Sequence, residues 1–193
     1  MASLYDLSSQ VAPFVVDCPD GVQKWALRQA ACRFLADSHL WRVSLSHTVS
    51  GEEVLAVGIN EFSGMPVNTF VASCLSLTVD GCNYISGWAF AGDVLELELA
   101  PKAGAVLKLD VVLGGASSLS AIPMPILARY GGAIADLALF LIQSQVSRPY
   151  SSPEGAAQAL ARYGAQMHAA NVERLTGGRS GDAVLTTAIP EYF

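Results

Sequence analysis

Glu96 and Glu98 lie two residues apart, a spacing that puts both carboxylates on one face of an extended segment. Two such groups could divide acid and base roles, as they do in glycoside hydrolysis. With Trp88 as a stacking surface they would make a small sugar-binding or hydrolytic site. Leu95, Leu97 and Leu99 alternate with the glutamates, however, and that alternation is what a solvated face over a buried one produces. The second description carries more weight.

The other candidates for chemistry are weaker. His47 falls on the inward side of a strand pattern next to no obvious carboxylate, and His39 stands at a helix end, where a cation is favourable. His168 has Val172, which is no ligand, four residues on. No serine lies in a Gly-x-Ser-x-Gly elbow. Gly114-Gly115, Gly131-Gly132 and Gly177-Gly178 match neither a phosphate loop nor the dinucleotide fingerprint. Trp25, Trp41 and Trp88 read as core or interface anchors. The expectation is a protein that is not an enzyme, with no catalytic, cofactor-binding or metal-ligating residues and no cofactor.

Cys18, Cys32, Cys74 and Cys82 form no CxxC pair and have no histidine at zinc-ligand spacing. A two-residue Asp80-Gly81 hairpin would set Cys82 opposite Val79 rather than Cys74, so all four are expected to be reduced.

The elements that must position these residues follow from composition and period. The 193 residues are 52% apolar and 15% charged, with 11 Lys+Arg against 17 Asp+Glu for a net charge of −6. That excludes intrinsic disorder, and the acidic balance argues against a surface that grips nucleic acid. The longest apolar run, from Ala133 to Ile142, contains Asp136 and is about half the roughly 20 residues a membrane span needs. The first residues lack the basic start and apolar block of a secretory signal, so assembly in a cytoplasm is expected.

A helix is expected from Pro19 to Ser38, capped by Asp17, with Leu27, Ala30, Ala31, Phe34 and Leu35 on one face. The period then changes to 2 at Trp41–Val49. Shorter strands are expected at Val54–Ile59, Val67–Ser73, Leu75–Val79, Asn83–Ser86, Val94–Leu99 and Val106–Leu113, with Asp80-Gly81 and Gly92-Asp93 among the turns. Helical spacing returns from Pro123 to about Ser144, with Gly131-Gly132 inside as a close-packing point. Ser152 then caps a helix from Pro153 to about Leu175.

The expected class is therefore α+β: an N-terminal helix and two C-terminal helices packed together, with an antiparallel β-sandwich or barrel-like sheet inserted between them. The corresponding parts are 1–40 (N-terminal helix), 41–116 (β region), 117–178 (C-terminal helices) and 179–193 (C-terminal docking tail).

Two stretches resemble a known family. One runs Val11-Ala12-Pro13, Cys18-Pro19, Ala26 through Phe34, and Trp41. The other runs Tyr130 through Ala135, Arg148 through Pro153, Ala157 through Tyr163, and Asn171 through Arg174. Both are similar to the head-to-tail adaptor (neck, or connector) proteins of tailed bacteriophages, the group that includes the tail tubular protein A of short-tailed phages. The likeness covers the terminal helices, about half the chain, and departs at Tyr150, where such proteins often carry Trp.

The resemblance implies a structural virion protein at the head–tail interface, assembled in the bacterial host. It would form a twelvefold ring beneath the portal protein, bind the tail or nozzle protein, contact no membrane, and pass genomic DNA through its channel without sequence-specific binding. Similar adaptors dock the portal through a C-terminal segment, which here would be Ala188, Ile189, Pro190, Tyr192 and Phe193. Ring contacts are expected on the second and third long helices, and tail contacts on β turns such as Asp80-Gly81. The alternatives from other classes are a small-ligand or sugar-binding β-sandwich module or enzyme, and a tail completion or terminator protein.

Overall fold

The computed structural model describes residues 1–51 and 55–176. The chain opens with strand β1 (Ala2–Ser3), a 3-10 turn at Leu4–Leu7 and the single-turn helix α1 (Ser8–Val11). Each is too short to show a period, yet Leu4, Leu7 and Val11 are fully or almost fully buried.

Helix α2 (Asp20–Ser38) forms on its run of strong helix formers and buries Ala26, Leu27, Ala30, Ala31, Phe34 and Leu35. Its start differs from expectation. Asp17 has φ +62° and is no cap; Pro19 precedes the first turn, with no side-chain cap hydrogen bond. Proline keeps the preceding Cys18 out of the helical region, and Pro19 itself is extended with ψ 139°, so the helix begins at Asp20. Gln23 Nε2 instead donates to the Cys18 carbonyl at 3.0 Å. At the far end His39 takes a left-handed conformation and donates its N–H to Leu35.

The β region comprises β2 (Arg42–Thr48), β3 (Ala56–Gly58), β4 (Thr69–Val79), β5 (Cys82–Asn83), β6 (Trp88–Ala91), β7 (Val94–Leu97) and β8 (Val106–Gly115). After it come β9 (Ala121–Ile122), which pairs with β1, then α3 (Met124–Gln143) and α4 (Pro153–Thr176). All pairings are antiparallel, in the orders β2-β8-β4-β5 and β3-β7-β6. Leu45, Leu77, Leu107 and Leu109 of the first sheet and Val57, Leu95 and Leu97 of the second join one core with the helices.

The sheets correct three expectations. Val67–Ser73 and Leu75–Val79 are one strand, β4, whose bulges at Val71/Ser73 and Cys74/Ser76 break the alternation. The strand expected at Asn83–Ser86 is only Cys82–Asn83, while Trp88–Ala91 is a strand that the pattern missed. Leu99 is 73% exposed instead of facing inward.

Helix α3 is the centre of a three-helix unit with α2 and α4. By length and composition it could cross a membrane, but Ala133, Ile134, Leu137, Ala138 and Ile142 are buried in the protein core. Gly131 lets Leu7 approach: a Cβ there would stand 3.0 Å from Leu7 Cδ2. A Cβ on Gly132 would stand 3.3 Å from Gln166 Oε1 of α4, so both glycines serve close packing. Ser152 caps α4 as expected, its Oγ accepting from the Gly155 N–H at 3.1 Å.

Candidate functional site

Asp80 and Gly81 form the exposed tip of the β4–β5 hairpin, with φ of +50° and +81°. Two successive positive values make the primed turn that suits strand twist, and Val79 pairs with Cys82 across it. The Asp80 carboxylate is turned back into the protein. Its Oδ1 accepts from the Val106 N–H at 2.8 Å, and the Asp80 N–H donates to the Val106 carbonyl at 3.0 Å. The tip is thus tied to the start of β8, and a Cβ on Gly81 would meet nothing within 4 Å. Ala188, Ile189, Pro190, Tyr192 and Phe193 lie outside the described residues.

Trp88, Glu96 and Glu98 do not come together as a site. Trp88 pairs with Leu97 across β6 and β7, and directly opposed residues share a sheet face. Leu97 is buried; Glu96, one residue along, projects from the opposite face and is exposed. The indole N–H of Trp88 is already used, donating to the Tyr84 carbonyl at 2.9 Å.

Three polar clusters escaped the sequence reading because their members are far apart in the chain. On the outer face of the larger sheet, Asp110 accepts from the hydroxyls of Ser44 and Ser76, the latter at 2.7 Å. These two donors hold its carboxyl below the usual carboxylate range. A shallow depression of about 400 Å³ beside it is lined by Arg42, Leu75 and the same three residues. Both hydroxyls spend their protons on the carboxylate. His47, on the opposite face of β2, reaches neither, since its ring meets the Glu61 carbonyl and Phe62. No activated nucleophile results.

The second cluster joins α3 to α4. Asp136, nearly buried, accepts from Arg162 Nε at 2.8 Å and from Gln166 Nε2 at 3.0 Å. The third lies one end further along: Glu173 accepts from the Tyr130 hydroxyl and from Arg129 Nη1, the latter at 2.6 Å. Burial, then the hydrogen bond and charge of Glu173, push the Tyr130 phenol up to about 12. Tyr163, whose hydroxyl meets Asp37 of α2 at 3.3 Å, is likewise pushed up to about 12, chiefly by burial. These groups join helices; Asp136 and Arg162 also line a depression of about 520 Å³ beside Ser9, Gln10 and Phe14, where their charges are paired with each other.

All four cysteines are free thiols. Burial pushes Cys74 up to about 11, which leaves it neutral and unreactive at ordinary pH. Cys32 donates its S–H to the Ala116 carbonyl at 3.3 Å. Among the described residues no three His, Cys, Asp or Glu side chains converge as a metal site. Trp41 is buried at 3% exposure, whereas Trp25 is 47% exposed on the outer side of α2.

No protein-family model matches the chain, and no curated protein sequence matches it.

Proposed function

We propose that the chain is a head-to-tail adaptor of a tailed bacteriophage, a structural protein that rings the DNA exit beneath the portal and gives the tail its platform. One observation carries this. The two stretches that resemble the adaptor family are separated by the whole β region, yet they pack as one three-helix unit. Residues within them make its joints: Phe34 rests on Tyr130 with ring centroids 5.4 Å apart, and Tyr130 meets Glu173. The β region is inserted between the two stretches, and its Asp80-Gly81 hairpin tip is exposed.

In this assignment the partners are the portal protein, the tail or nozzle protein, and further copies of the chain, twelve in a closed ring. Such a ring needs heterologous contacts, for which the outer sides of α3 and α4 are the candidate surfaces. A net charge of −6 suits a channel through which DNA slides without phosphate contacts. The segment Ala188, Ile189, Pro190, Tyr192 and Phe193 docks the portal, and the Asp80-Gly81 tip faces the tail. Removing the chain from Ala188 onward tests the first of these contacts. Portal binding is lost while the circular dichroism spectrum stays the same; retained binding refutes the docking role.

A further inference from the structure

Helix α4 carries two apolar faces, and only one is covered. Ala156, Ala159, Tyr163, Met167 and Ala170 are buried against the bundle. On the other side Ala157, Leu160, Ala161, Gly164, Ala165 and Ala169 recur at helical spacing and are all exposed. The ionisable groups exposed on this side are Glu154 in the first turn and His168 beside Gly164 and Ala165; the positions between them are small or apolar apart from Gln158. At its start the stripe opens into a groove of about 480 Å³ between the end of α3 and the first turns of α4. Phe140, Val146, Pro153 and Leu160 line that groove, with Val146 84% and Leu160 43% exposed.

We infer that this groove receives the chain's own segment Ile189-Pro190-Glu191-Tyr192-Phe193, laid back along the outer stripe of α4. Three facts select this occupant. The chain continues beyond Thr176, at the opposite end of the same stripe, so the track is continuous with the segment that would follow it. The reach fits: α4 has 24 residues and is about 36 Å long at 1.5 Å per residue. Ile189 is 13 residues beyond Thr176, about 43 Å of extended chain at 3.3 Å per residue. The chemistry fits as well, because Ile189, Tyr192 and Phe193 are the apolar and aromatic groups an uncharged groove favours. A tether holds the segment at about millimolar effective concentration, so a shallow groove suffices within one chain. This contact needs no portal and stands whether or not the adaptor assignment does. Where that assignment holds, the groove shelters the docking segment until the portal takes it.

The test uses the full-length chain with the photo-crosslinker p-benzoylphenylalanine in place of Leu160, an exposed position. The expected product is a crosslink within one chain to residues 183–193, with a yield unchanged on dilution. Crosslinks to α4 of a second copy, to any other segment, or to nothing would overturn the inference. As an independent readout, Leu160→Glu speeds chymotryptic cleavage after Leu185 and Tyr192 about tenfold, since cleavage tracks the population of the undocked form. An unchanged cleavage rate also overturns it. Loss of portal binding on truncation, by contrast, speaks only to the adaptor assignment.

Discussion

A Cβ on Gly115 would stand 3.1 Å from Cys32 Sγ, tighter than most side-chain contacts, and 3.5 Å from the Cys32 Cα, so β8 and α2 pack closely at this point. Leu119 closes the same spot from the other side, 2.6 Å from that Cβ position. This contact joins the inserted sheets to the helical unit. Gly115→Ala therefore costs about 1–3 kcal/mol through overpacking, read as a lowered urea midpoint with an unchanged slope. Gly114→Ala costs less, because its obstacle is the Phe70 ring, 45% exposed and free to swing outward. Equal losses at the two positions would contradict this description of the joint.

Arg162→Ala is more damaging than Asp136→Ala. Removing the guanidinium leaves a carboxylate whose side chain is 12% exposed, with Gln166 as its remaining donor. Removing the carboxylate leaves an arginine that is 51% exposed and can turn to water. The difference is about 1 kcal/mol or more, since an unmade bond to a buried charge costs more than one to a solvated charge. Thermal or urea unfolding of the two variants measures it.

Alkaline stability follows from the two raised phenols. Tyr130 and Tyr163 move from the ordinary 10.0 to about 12 on folding, so the folded state holds their protons more tightly than the unfolded chain. Their contribution is complete below pH 10 and is lost as pH rises from 10 to about 12. Tyr130→Phe removes its share of that slope, visible as a shallower fall of Tm across the same range. Asp110 acts in the opposite sense on the acid side. Its lowered carboxyl contributes stability that is lost as pH falls through its folded-state value, and Ser76→Ala weakens that dependence.

At the hairpin tip, Asp80→Ala loses both the bond from the Val106 N–H and a residue type tolerant of the left-handed conformation. The expected cost is about 1–2 kcal/mol. Asp80→Asn keeps an acceptor and that tolerance, and stays close to the parent. If the two variants melt alike, the tie between Asp80 and β8 contributes nothing.

What the sequence made legible was local. The buried face of α2, the Asp80-Gly81 turn with Val79 opposite Cys82, and the Ser152 cap all depend on residues within a few positions of each other. Where the alternation was interrupted, legibility stopped. Two bulges divide the pattern of β4, so one strand looked like two. The four residues of β6, Trp-Ala-Phe-Ala, are too few to establish a period. The Asp136–Arg162 and Tyr130–Glu173 pairs join residues 26 and 43 positions apart, and no spacing rule connects such partners. The candidate sugar site failed for a reason visible only with strand pairing known, since Trp88 follows Leu97 inward while Glu96 points out.

The adaptor assignment meets its most direct test in quantitative mass spectrometry of purified tailed-phage particles from the source, counting this chain against the portal protein. A ring docked beneath a portal of equal symmetry requires a ratio near one. Complete absence of the chain from intact particles would contradict the assignment.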